Sequence, residues 1–173
     1  MGYRDTHYTN FYIPSPNSAN NVSHSSYPGG LPDIIELFEI LPEQERRENL
    51  VAFAEGAVKW RPAEGENFDL EDVRKDDECT DEVGIFLRVE DGAADFKVTL
   101  GPEVQTLTKA MTSILCRGLN GCSIEEILDC PADFVPKIIG AELVRARSQT
   151  VYYVLSRMKG AAKVFRDRER AAR

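Results

Sequence analysis

A chain of 173 residues with 42% apolar content can bury one real core, and it contains no apolar run near the roughly 20 residues that a membrane-spanning helix needs. Its net charge of −8 is the wrong sign for nucleic acid, which calls for clustered cations on one face. These properties predict a soluble single-domain protein with neither a membrane nor a nucleic acid as partner.

Residues 1–30 are rich in Asn, Ser, Tyr, Pro and Gly, carry only Arg4 and Asp5 as charges, and show neither helical nor strand periodicity. Such a segment buries too little apolar surface to offset its chain entropy, so the reading is a disordered tail over 1–30 and a folded domain over 31–173. Both histidines, His7 and His24, fall in the tail. Their position argues against Ser-His or Cys-His nucleophilic catalysis in the folded part, and against metal sites built on imidazole. The tail lacks the charged and apolar regions of a secretory leader, so the Asn21-Val22-Ser23 sequon reads as chance and the protein as cytoplasmic with reduced thiols.

Pro32 and Asp33 open a short helix through Ile40, and Pro42 sits at the first turn of a longer one, where its missing N–H costs nothing. Leu50, Phe53, Ala54, Ala57 and Val58 follow the spacing of one buried helix face, with Trp60 and Pro62 ending it. From Ala63 to Glu82 ten acids stand against Arg74 and Lys75, which predicts a negative surface arm. A weak strand is predicted within it at 70–73. Val83, Ile85, Leu87 and Val89 then alternate with polar or small neighbours, and so do Phe96, Val98 and Leu100 beyond Asp91-Gly92. Period two around Asp-Gly is a strong hairpin signal.

The remainder reads as helical. Val104, Leu107, Thr108, Met111, Ile114 and Leu115 form an apolar stripe predicted to stop at Gly118, with Cys116 to its side. Ser123 and Glu126 make a capping box for a short helix to Asp129, and Pro131 is read as starting another that ends at Gly140. From about Arg147 a long helix buries Val151, Val154, Leu155, Met158, Ala162 and Phe165, and its last turns carry excess cations that suit a helix C-terminus. The predicted class is α+β: two helices, a small antiparallel sheet, and four helices packed on one sheet face.

Four cysteines, Cys79, Cys116, Cys122 and Cys130, lack the spacing of zinc or thioredoxin-like pairs. Cys122 and Cys130 read as small surface or half-buried residues. Cys79 is different. It lies within three residues of Asp76, Asp77, Glu78, Asp81 and Glu82, too polar for a core strand, and so is placed on a loop between two strands. A free thiol with pKa about 8.5 is roughly 3% thiolate at neutral pH, and nearby carboxylates lower that fraction further. Such a thiol is poorly activated by itself and suits a relay in which a partner supplies the cation or base.

The segment from Leu31 to about Phe165 resembles the SufE family of sulfur acceptors. The resemblance rests on a single cysteine, Cys79, after a short strand with Val73 and before the apolar hairpin at Val83, on Arg147 followed by Gln149 at the start of the last helix, and on the helix order around Gly118 to Glu126. It implies a SufE/IscU-like fold. It also implies that Cys79 accepts persulfide sulfur from a PLP-dependent cysteine desulfurase, stimulates that enzyme, and passes the sulfur to an iron–sulfur scaffold complex. Arg147 would contact the thiolate or the partner, or in a purely structural role pair with a carboxylate. No cofactor or metal of its own is called for, and the protein would be an accessory rather than a free-standing enzyme. Two alternatives stand beside this: an iron–sulfur scaffold, which needs about three converging cysteines, and a desulfurase-binding regulator in which Cys79 is inert.

Overall fold

A computed structural model of the protein describes residues 26–75 and 81–173. The first helix, α1 (Leu31–Ile40), carries Pro32 in its opening turn and buries Leu31, Ile34, Ile35 and Phe38. Contacts reach back beyond it: the Tyr27 hydroxyl donates to Asp133 at 2.9 Å, its ring meets Phe134 edge-on, and the Gly30 N–H donates to the Gly118 carbonyl at 2.9 Å. Pro42 is the cap of α2 (Glu43–Glu55), which buries Leu50 and Ala54. At Gly56 the helix tightens into a 3-10 turn over Gly56–Trp60. The tighter winding breaks the 3.6-residue phase. Ala57 stays buried, but Val58, predicted on the buried face, is turned out and is 64% exposed.

Three antiparallel strands follow in the order β1 (Leu70–Arg74), β2 (Val83–Glu90) and β3 (Ala93–Leu100). Asp91 and Gly92, with φ of 51° and 80°, make the two-residue turn between β2 and β3, in the left-handed conformation such turns need. Alternation then sends Val83, Ile85, Leu87, Ala94, Phe96 and Val98 to one face, where all are buried under the helices. The opposite face carries Phe86, packed on Phe68, and a cross-strand Arg88–Asp95 pair at 2.8 Å. The outer edge of β3 is covered at Ala94 and Phe96. Ala94 exchanges backbone hydrogen bonds with Gly121 and Cys122, and the Asn120 amide both accepts from the Phe96 N–H and donates to its carbonyl. An open edge invites pairing with another chain, and here the turn after α3 closes it.

The helix α3 (Thr106–Leu119) runs past Gly118, the residue predicted to stop it. A Cβ at Gly118 would lie 2.5 Å from Leu31 Cδ2, so this glycine lets α1 approach α3, and the break falls at Asn120–Gly121 instead. Cys116, predicted beside the stripe, is fully buried. The capping box is present: Ser123 and Glu126 satisfy each other's backbone N–H at the start of α4 (Ile124–Asp129). Pro131 does not start the next helix. It pushes Cys130 into an extended conformation that ends α4, and α5 (Val135–Ile139) begins four residues later with Pro136 in its first turn. Gly140, at φ 87°, separates α5 from α6 (Ala141–Ala171).

The helical path of α6 is interrupted at Arg147 (φ −138°, ψ 33°), so the long regular segment begins there, as predicted, but a further helical stretch precedes it. Val151, Val154, Leu155, Met158 and Ala162 are buried along it, and Phe165 is half-buried. The described residues form an α+β fold, an open three-stranded sheet with six α-helices. No described helix is long and apolar enough to cross a membrane.

Candidate functional site

The last register pair between β1 and β2 is Arg74 with Val83, so the chain from 75 to 82 joins the two strands. Cys79, the predicted acceptor, falls at 76–80 and lies outside the described residues. What the structure does describe is how the two stems of this connection are held.

Arg157 of α6 holds one side. Its side chain is only 4% exposed, and a buried guanidinium must be paired to be tolerated. Its Nε donates to the Asp72 carboxylate at 2.9 Å, and Nη2 donates to the Asp72 carbonyl at 2.7 Å and to the Val83 carbonyl at 3.2 Å. The remaining Nη1 donates to the Tyr153 hydroxyl, one helical turn back, at 2.6 Å. One planar fork thus ties the end of β1 to the start of β2, a geometry a point-charge lysine cannot reproduce.

Asp81 holds the other side. Its carboxylate accepts from the Glu82 N–H at 2.7 Å and from the Glu103 N–H at 2.9 Å, and the Gly101 N–H donates to the Glu82 carbonyl at 2.9 Å. A Cβ on Gly101 would lie 2.1 Å from Asp81 Oδ2, so only glycine leaves room for this carboxylate. Between the two holds, Gly84 is confined. A Cβ there would meet Thr99 Oγ1 at 2.3 Å and Val73 Cγ2 at 3.0 Å.

The backbone N–H groups of Glu103 and Glu82 pull the Asp81 carboxyl below its ordinary range. Because the folded-state value is depressed, the stabilisation is fully present above the unfolded value of about 3.9 and is lost as pH falls through the folded value. Asp81→Asn should therefore melt lower than wild type at pH 7, with the gap narrowing below about pH 4. Thermal scans across that range would decide it, and a gap independent of pH would mean the carboxylate charge plays no part.

The predicted acidic arm is therefore partly structural. Glu66 pairs with Arg88 at 3.0 Å, Asp69 accepts from the Val89 N–H at 2.7 Å, Asp72 binds Arg157, and Asp81 binds the turn after β3.

Cys122 and Cys130, predicted to be surface or half-buried residues, are more buried than that, at 3% and 1% exposed, and Cys116 is 0% exposed. Both Cys122 and Cys130 flank α4, where the chain turns inward to close the β3 edge and to pass under α6. Lys159 of α6 donates to the carbonyls of Leu128 and Cys130 and caps that end of α4. Burial raises all three thiols: Cys116 strongly, Cys122 with help from the Glu126 carboxylate, and Cys130 to about 11. Burial and the raised thiols together make all three poor nucleophiles. Among the described residues, no three His, Cys, Asp or Glu side chains converge to hold a metal ion.

Arg147, the second predicted site residue, sits at the break in α6, is exposed, and makes no side-chain hydrogen bond or ion pair with another described residue. A carboxylate partner for it is therefore not found among the described residues. No local pattern marks Asp72 or Asp81 for these structural roles. Arg157 left a trace: it lies three residues after Val154 and four before Ala161, a cation on the buried stripe of α6.

No curated protein matches the sequence. Among solved structures, the fold is similar to the solution structure of a hypothetical protein from Thermus thermophilus, at 23% identity and a TM-score of 0.64 over 80% of this chain and 97% of that one. The N-terminal part of a nitrogen-fixing NifU-like protein from Brucella abortus matches at 16% identity and a TM-score of 0.49, over 79% of this chain and 98% of that one. The family profile described as "SufE: Fe-S metabolism associated domain" matches residues 32–162, which span the first helix, the sheet and α6 as far as Ala162. The chain belongs to the SufE family and through it is associated with Fe–S metabolism.

Proposed function

We propose that this protein is a sulfur acceptor: Cys79 takes sulfur from the persulfide of a PLP-dependent cysteine desulfurase, and the protein stimulates that enzyme and passes the sulfur to an iron–sulfur cluster scaffold in the cytoplasm. The observation that carries the reading is the burial of Cys116, Cys122 and Cys130 with their thiols raised. Cys79 is the remaining thiol, and the strands on either side of it are fastened by Arg157 and Asp81.

The Cys79 thiolate attacks the terminal sulfur of the desulfurase persulfide. A new S–S bond forms on Cys79, the S–S bond on the desulfurase breaks, and its electron pair returns to the desulfurase cysteine as a thiolate. The exchange has no net oxidation and needs no cofactor of this chain. The acidic run beside Cys79 in the sequence disfavours its thiolate, so in this reading its proton leaves to a base on the partner when the two dock. The decisive experiment is mass spectrometry of the protein after incubation with desulfurase and cysteine, looking for one added sulfur atom on Cys79.

In this reading Arg147 contacts the desulfurase or the sulfur-bearing thiolate, which an exposed guanidinium with no described partner is free to do. Arg147→Ala should lower the rate of sulfur acceptance about tenfold, the loss of one charge-assisted contact of about 1.4 kcal/mol, and leave the melting temperature nearly unchanged. Parallel loss of rate and melting temperature would make Arg147 structural.

A further inference from the structure

The two strands beside Cys79 are joined across the sheet by their register, but they are joined a second time by one side chain from a distant helix. The Arg157 guanidinium binds the carboxylate and carbonyl of Asp72 on β1 and the carbonyl of Val83 on β2, and Tyr153 orients it from within α6. All three of its nitrogens are engaged in a site where the side chain is 4% exposed. Such a fork has one geometry, so it sets the separation and twist of the two stems rather than merely adding charge.

We infer that Arg157 is a positioning residue for sulfur transfer. By fixing Asp72 against Val83 it holds the stems of the 75–82 connection in the arrangement from which Cys79 enters the partner's site. This rests on the reading of Cys79 as the sulfur acceptor. Transfer between two proteins requires the attacking sulfur to meet the persulfide in line, and a displacement of about 1 Å from a residue remote from the chemistry can cost about 100-fold in rate. A small-molecule disulfide has no fixed pocket and tolerates a loosened connection.

The test compares wild type with Arg157→Lys, which keeps the charge near Asp72 but cannot span to Val83 as a fork, and with Asp72→Asn, which keeps the guanidinium and its acceptors but weakens the Nε anchor by removing the carboxylate charge. Val154→Ala, a fully buried position on the same helix, serves as a destabilised control. Each is measured for single-turnover sulfur gain on Cys79 from a persulfidated desulfurase, as a function of acceptor concentration, and for reaction with the disulfide reagent DTNB. The expected result is a maximal transfer rate lowered about 10- to 100-fold in Arg157→Lys, with a smaller loss in Asp72→Asn. The half-saturating concentration and the DTNB rate should stay within about twofold, and Val154→Ala should transfer like wild type below its melting temperature. Arg157→Lys transferring at the wild-type rate, or Val154→Ala losing as much, overturns the inference. A wild-type protein that gains no sulfur on Cys79 overturns the acceptor reading itself and the inference with it.

Discussion

Cys79→Ser should abolish sulfur acceptance and desulfurase stimulation while leaving the fold intact. A serine hydroxyl is close in size to a thiol but cannot form the S–S bond on which the transfer depends, and the position lies in a polar stretch rather than in the core pattern. The three other cysteines supply the contrast. Cys116, Cys122 and Cys130 are at most 3% exposed, and burial raises each thiol, so none can attack a persulfide held in another protein. Changing them singly to Ala should leave the transfer nearly intact. The loss of stability should be modest, about 1 kcal/mol for a small buried group. Mass spectrometry of each variant after incubation with desulfurase and cysteine measures the effect directly. Sulfur accumulating on Cys116, Cys122 or Cys130 in the wild-type chain, together with acceptance by Cys79→Ser, would falsify the assignment.

The parts of this fold that were legible in the sequence are those set by contacts within an element or between neighbours. Period-two alternation from Val83 to Leu100 around Asp91-Gly92 gave the hairpin, because each strand has one face in the core and one outside. Ser123 and Glu126 marked the start of α4 because the capping box is closed within four residues. Gly118 misled for an opposite reason. A glycine near the end of an apolar stripe reads as a stop, but its use here is set by Leu31, which packs against it from another helix.

The residues around the candidate site were hidden in the same way. Asp72 and Arg157 are separated by 85 positions, and Asp81 and Glu103 by 22, so no local pattern links them. In isolation the acids between Ala63 and Glu82 look alike, and a run of them reads as a solvated surface. Tertiary structure divides them: Glu66, Asp69, Asp72 and Asp81 each hold a defined donor. The burial of Cys122 and Cys130 was hidden because it arises in connections, where hydrophobic periodicity carries no information. The position of Cys79 between two strands, by contrast, followed from chain order alone.

Arg157→Met is expected to destabilise the protein by about 3 kcal/mol, the low end of the roughly 3–5 kcal/mol found when one member of a buried ion pair is removed. The low end applies because Asp72 keeps 30% of its side chain in contact with water, which screens the charge left behind. Methionine replaces much of the apolar stem of arginine, so the loss reports the guanidinium rather than the packing along α6. What it leaves unsatisfied is specific: the Asp72 and Val83 carbonyls and the Tyr153 hydroxyl all lose a donor. Asp72→Asn should cost less, about 1.5 kcal/mol, because the amide oxygen still accepts from Nε and both carbonyl bonds survive. Combining the two changes should cost about 1 kcal/mol less than their sum, since the second removes a partner already lost. Urea unfolding of the four proteins, with unchanged slopes, measures this coupling. If the two effects instead add to within about 0.5 kcal/mol, Arg157 and Asp72 act independently, and the fork does not tie β1 to β2 in the way its geometry indicates.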